Sequence, residues 1–169
     1  MQNARIEIKV ADKEDLFDLT ICVDDFLDFI DNFKKRFLNK TLFILKLLYN
    51  STLAGILVAE DKSNQIDSLE KIIPSTFLNL VYINPSFRNK HLGKYLLQNF
   101  IELQKGKGIA SIYTRIPKKY MKGIKFFKVN NFQQTSSEDN WVILVLNLWN
   151  DYGIRDYSMV DDYSTCFFD

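Results

Sequence analysis

The run Val81-Tyr82-Ile83-Asn84-Pro85-Ser86-Phe87-Arg88-Asn89-Lys90-His91-Leu92-Gly93-Lys94-Tyr95-Leu96-Leu97 decides how the chain reads. Thr76 to Ile83 is an apolar, strand-forming stretch, and Pro85 ends it because proline lacks the N–H a sheet ladder needs. From Leu92 onward, Leu92, Leu96, Phe100 and Leu103 recur at helical spacing, which predicts a helix stopped by Gly106 and Gly108. Between strand and helix lies a short basic turn. The first turn of a helix presents backbone N–H groups with no partner inside the helix, at the positive end of its dipole. Such a place accepts phosphate oxygens. Gly93 lets the backbone approach a bulky anion, and Arg88, Lys90 and Lys94 add positive charge.

Working outward, Arg5 to Val10 alternates as a strand, and Asp12 with Asp15 three residues on marks a helix start. Leu16, Leu19, Val23, Phe26, Leu27 and Ile30 then keep helical spacing, predicting one long or two short helices to about Phe37. Thr41 to Tyr49 and Leu53 to Ala59 read as a hairpin turning at Asn50-Ser51-Thr52. The polar stretch from Asp61 to Ser75 carries Ile66, Leu69, Ile72 and Ile73, enough for a short helix. Beyond Gly108, Ala110 to Ile116 is a strand and Lys118 to Val129 a basic amphipathic helix. Asn130-Asn131 is a turn, and Phe132 to Thr135 and Trp141 to Leu148 form a last hairpin.

The chain has 169 residues, 47% hydrophobic and 25% charged, as ordinary globular domains do. No apolar run reaches the roughly 20 residues that cross a bilayer. The first ten residues lack a signal-peptide core, so a cytoplasmic location is expected. Cys22 and Cys166 match no metal or redox motif and are expected as reduced thiols; no metal site is expected. The net charge of +1 is unevenly spread. Residues 149–169 hold five Asp against Arg155, a net of −4, which leaves +5 for residues 1–148. Residues 88–128 hold eleven Lys or Arg against Glu102 alone and should attract an anion. A nucleic-acid module would interleave aromatic residues with such charge in a known pattern, and none is present.

The opening run suits the pyrophosphate of a CoA-type cofactor. It resembles the cofactor signature of the GCN5-related N-acetyltransferase (GNAT) family, [R/Q]-x-x-G-x-[G/A]. Arg88 stands at its first position and Gly93 at its last, with His91 in place of the central glycine. A non-glycine there can still donate its N–H if its backbone angle is ordinary. Ile6 to Leu16 is similar to the family's opening strand and helix start, and Gly123 to Phe132 to its late helix and the pair that follows. The likeness covers about 145 residues.

The resemblance implies an α/β (α+β) fold, with a mixed, mostly antiparallel central sheet of about seven strands flanked by about four helices. It implies one acetyltransferase domain over residues 1–148, with 149–169 an extension. It also implies that the fourth and fifth strands splay and hold the pantetheine arm of acetyl-CoA. Val81, Tyr82 and Ile83 would lie beside the arm, a main-chain N–H near Tyr82 or Ile83 would face the thioester carbonyl, and Arg88, Asn89, Lys90, His91, Leu92, Gly93 and Lys94 would surround the pyrophosphate. The expected activity is direct transfer of the acetyl group to a primary amine of a small molecule or protein.

The family's usual proton-handling groups are replaced here. Phe127 stands where many relatives carry a phenol that protonates the leaving thiolate, and Tyr120 stands seven residues before it. Phe77 and Asn79 offer no carboxylate on the fourth strand. Tyr120 and Tyr82 are the catalytic candidates, with Tyr113 and Glu60 as substitutes. The alternative is a CoA-binding sensor or interaction module of the same fold with little or no turnover. The lysine face of 118–128 reads as solvated surface or as a seat for the 3′-phosphate of CoA. Tyr152, Tyr157, Tyr163, Phe167 and Phe168 make the extension too apolar for a free acidic tail. It is expected to pack on the domain or on a second copy in a homodimer; neither membrane nor nucleic acid is an expected partner.

Overall fold

A two-residue hairpin anchors the first part of the chain. Asn50 and Ser51 hold φ of 49° and 68°, the left-handed pair of a tight turn whose twist matches its strands, and Tyr49 pairs with Thr52 across it. The computed structural model describes residues 3–16, 18–19, 30–62 and 74–149. Among them are strands β1 (Ile6–Val10), β2 (Phe43–Tyr49), β3 (Thr52–Asp61), β4 (Ser75–Ile83), β5 (Ser111–Pro117), β6 (Gln133–Ser137) and β7 (Trp141–Asn147). The helices are α1 (Phe33–Leu38), α2 (Leu92–Gly106) and α3 (Met121–Val129). The strands form an open, mostly antiparallel sheet in the order β1-β2-β3-β4-β5-β7-β6. Three helices stand among the described residues where about four were expected. The helix expected within 61–75 and much of that expected between Leu16 and Phe37 lie outside the described residues, as do Cys22, Cys166 and the extension from residue 150.

Contacts divide the chain into two compact units, Met1–Lys62 with Thr76–Gln104, and Ser63–Ser75 with Lys105–Asp169. In the first, Ile44, Ile56, Val58 and Leu80 from one sheet face pack with Phe33 and Phe37 of α1, whose rings stack 6.1 Å apart. On the other face Phe43 meets Phe100 of α2 at 6.4 Å between ring centroids. Asp12 and Asp15 form the expected capping box, around a single 3-10 turn (Lys13–Asp15). Asp15 also takes the ammonium of Lys46 on β2 at 2.5 Å.

Two bulges shape β3 and β4. Leu47 pairs with Gly55 and Leu48 with Leu53, so Ala54 is an extra residue in β3. Val58 pairs with Leu80 and Ala59 with Leu78, so Asn79 is an extra residue in β4. The second bulge makes β4 change faces. Leu80 and Tyr82 join the cluster around α1, whereas Thr76 donates its hydroxyl to Gln104 Oε1 of α2 at 2.7 Å. Gln104 is buried by this bond although it lies on a stripe of apolar residues. Leu103, expected on the buried face of α2, is 40% exposed; the face centred on Leu96, Phe100 and Gln104 leaves it at the edge.

In the second unit, β5 and β7 pair from Ser111–Asn147 to Pro117–Trp141. Phe127 of α3 meets Phe126 and Phe132 edge-on at 5.2 and 5.0 Å. β6 is exposed along its whole length, and its Gln133-Gln134-Thr135-Ser136-Ser137 sequence has none of the alternation that announces a strand. α3 begins at Met121 rather than Lys118. Lys118 donates its N–H to Asn140 and Tyr120 its own to Pro117, which consumes the approach to the helix in a turn.

Candidate cofactor-binding site

The turn after β4 is assembled by short-range hydrogen bonds. Asn84 donates its N–H to the carbonyl of Ala54, the bulged residue of β3, at 2.7 Å. Its side chain accepts from the N–H of Ser86 at 3.0 Å, capping a 3-10 turn (Pro85–Phe87) in which Pro85 sits where no N–H is needed. Phe87 then meets Tyr49 at 5.6 Å, and the ammonium of Lys90 stands 5.6 Å over the same Tyr49 ring. Arg88 Nε donates to the carbonyl of Ile83 at 2.9 Å, with its guanidinium 5.8 Å over the ring of Tyr82.

From here the backbone twists twice. Asn89 has φ of 67° and His91 φ of 60°, both left-handed. The ordinary angle expected for His91 is therefore corrected: it keeps the conformation that a glycine would adopt freely, at a steric cost. The first bond inside α2 runs from the N–H of Tyr95 to the carbonyl of His91 at 3.1 Å. The amides of Leu92, Gly93 and Lys94 thus precede the first closed turn and have no acceptor within the helix. Arg88, Lys90, His91 and Lys94 are all exposed, and the sequence from Asn84 to Ile101 holds no carboxylate. This arrangement can hold an anionic diphosphate through backbone N–H groups backed by three cations.

A model of the acetyltransferase (GNAT) family matches residues 13–132. The chain belongs to the GNAT family. Among solved GNAT-fold neighbours, Arabidopsis thaliana NAA60 in complex with acetyl-CoA is 13% identical, with a TM-score of 0.71 over 85% of this chain and 99% of that one. Arabidopsis thaliana Naa50 in complex with the bisubstrate analogue CoA-Ac-MVNAL is 13% identical, with a TM-score of 0.68 over 83% and 97%. The PaiA N-acetyltransferase of Thermoplasma acidophilum in complex with coenzyme A is 18% identical, with a TM-score of 0.63 over 85% and 99%. Comparison of the sequence with curated proteins finds no match. At these identities the neighbours establish the GNAT fold.

Val81, Tyr82 and Ile83 close β4 and lead directly into the turn, so the first unit brings all ten proposed cofactor residues into one continuous strand-turn-helix segment. Tyr82 is only 9% exposed, with its ring in the cluster around α1 and beneath Arg88. Tyr120 lies in the second unit at the start of α3, 40% exposed, with the ammonium of Lys119 5.2 Å over its ring. Tyr113 is half-buried on β5. Glu60 is held by Arg36 and by Lys62, the latter at 2.8 Å. Phe127 is buried.

Two residues escaped the sequence reading. Gly55 faces Ile83, and a Cβ built on it would come within 2.7 Å of the Tyr82 carbonyl. A glycine inside a strand run is the signal for such close approach. Asn79 Oδ1 is buried and has no hydrogen-bond partner. Nothing in the apolar run from Thr76 to Ile83 marks it as the bulge.

Proposed function

We propose that this chain transfers the acetyl group of acetyl-CoA to a primary amine of a small molecule or peptide. The observation that carries the reading is the segment from Arg88 to Lys94: amides ahead of the first closed turn of α2, left-handed Asn89 and His91, and three cations without a carboxylate among them. A buried acceptor without a partner, Asn79 Oδ1 on β4, also fits a strand whose polar complement arrives with a ligand. When bound, acetyl-CoA supplies an acetyl group activated as a thioester. The amides of Leu92, Gly93 and Lys94 would donate to its phosphate oxygens, with Arg88, Asn89, Lys90, His91 and Lys94 around them. Val81, Tyr82 and Ile83 would lie beside the pantetheine arm, and a main-chain N–H near Tyr82 or Ile83 would donate to the thioester carbonyl.

An alkyl amine has a pKa near 10.4 and must lose a proton before it can attack. Tyr120, with its exposed phenol, is the proton-handling candidate. Tyr82 suits the support of Arg88 better, because its ring is packed under that guanidinium. Glu60 is occupied by its two cations. The peptide-bearing analogue held by the Naa50 neighbour makes a peptide N-terminal amine one acceptor to test. A second reading, a CoA-holding module without turnover, is favoured by Phe127, which is buried where the family resemblance places a phenol.

Calorimetry with acetyl-CoA, beside thiol release across small amines and a Met-Val-initiated peptide, tests both. Binding with thiol release supports the transferase. Binding without release on any amine supports the module. No binding at millimolar acetyl-CoA, or unchanged affinity in Gly93→Trp, overturns the site.

A further inference from the structure

α3 and the β6–β7 hairpin of the second unit enclose an open groove of about 770 Å³. Its rim carries Lys118, Lys125 and Lys128, all exposed, and no acid lines it. Its apolar part comes from Met121, Ile124 and Val129, of which Met121 is 76% and Val129 68% exposed, so apolar surface lies uncovered beside the lysines. A bare phosphate would engage the lysines and leave these side chains in water. An occupant that uses the whole groove combines negative charge with apolar groups.

We propose that the groove is the docking site of the chain's own C-terminal segment, residues 150–169. That segment has the required chemistry: Asp151, Asp156, Asp161, Asp162 and Asp169 against Arg155, interleaved with Tyr152, Tyr157, Tyr163, Phe167 and Phe168. It also has the reach. The described chain stops at Trp149, beside the end of β7, whereas Val142 in the groove lies at the start of that strand. Returning along β7 takes about 20 Å at roughly 3.4 Å per residue. Twenty residues span at most about 70 Å when extended. Tethering supplies a high local concentration, so an interaction too weak between separate molecules is populated within one chain. The inference concerns the second unit alone and stands whether or not the protein turns over.

The test is zero-length carbodiimide cross-linking of the full chain, mixed from ¹⁴N- and ¹⁵N-labelled stocks and read by mass spectrometry. Amide links between the tail aspartates and Lys118, Lys125 or Lys128, within single-isotope chains, are expected. They should fall at least about tenfold at 0.5 M salt, because exposed pairs are screened, and likewise in the double variant Lys125→Glu/Lys128→Glu. Both lysines are exposed, so the variant should fold, which circular dichroism checks. Mixed-isotope links in the 1:2:1 proportion of random pairing from equal stocks would assign the groove to a second copy and overturn the proposal. Equal yields at lysines outside the groove, or no links from the tail, would overturn it as well.

Discussion

His91 keeps a left-handed backbone without being glycine, and does so beside the amides proposed to hold the cofactor. A non-glycine residue there costs roughly 1–2 kcal/mol, and glycine returns about 0.4–1 kcal/mol of this through the freedom it gives the unfolded chain. His91→Gly should therefore raise stability by about 0.5–1 kcal/mol in urea unfolding, and acetyl-CoA affinity should persist, since the donor is a main-chain N–H. His91→Val, β-branched and least tolerant of that angle, should lose stability instead. The motif was legible in the sequence and this angle was not. A histidine in the signature reads as a replacement, and only neighbouring geometry reveals that it adopts the replaced residue's conformation. Asn89 was a nearer miss, because asparagine is the residue most at home there after glycine.

Among the elements, β3 and β4 carry most of the consequence. Gly55 lets the two strands approach where the turn to α2 begins, and a methyl group at that position would meet the Tyr82 carbonyl at 2.7 Å and Ile83 Cδ1 at 2.5 Å. The first of these is backbone and cannot step aside. Gly55→Ala should cost roughly 1–3 kcal/mol, as overpacking of cores does, and chemical denaturation would show it as a lowered midpoint with an unchanged slope.

At the other end of the same unit, Asp15 ties the first 3-10 turn to β2. Burial by itself raises its carboxyl, but hydrogen bonds from Lys46 and Asp12, with the Lys46 charge, outweigh burial and hold it below the usual carboxylate value. A group with a lowered folded value stabilises fully above its unfolded value, near 3.9, and loses that contribution as pH falls through the folded one. Acid unfolding of Asp15→Asn should accordingly show a shallower fall below about pH 4 than the parent chain. Strands with alternating or apolar sequence were readable to within two residues. β6, expected over Phe132 to Thr135 as half of the last hairpin, is found at Gln133–Ser137; all its residues are polar and exposed, so pairing with β7, and not its own pattern, makes it a strand.

For the molecule as a whole, family and fold were within reach of the sequence because the strand-turn-helix segment is local and its chemistry is concentrated in a few neighbouring residues. Catalysis was not, because proton-handling groups are placed by tertiary packing. Ligand binding gives the whole-chain prediction. At a hundredfold excess over its dissociation constant, acetyl-CoA should add about 2.7 kcal/mol to stability, or roughly 5–10 °C in Tm for a chain of this size. Differential scanning fluorimetry should find that shift in the parent and none in Gly93→Trp.

The kink in β4 has a genetic counterpart. Removing the single codon for Asn79 would leave Leu78 opposite Ala59 and Leu80 opposite Val58, the partners they already have. Loss of any other triplet within the strand would give the residues between it and the bulge new partners. Asn79 is thus the one place where this strand can be shortened without scrambling its neighbours, and a straightened protein made that way would separate what the irregularity does from what the rest of the sheet does.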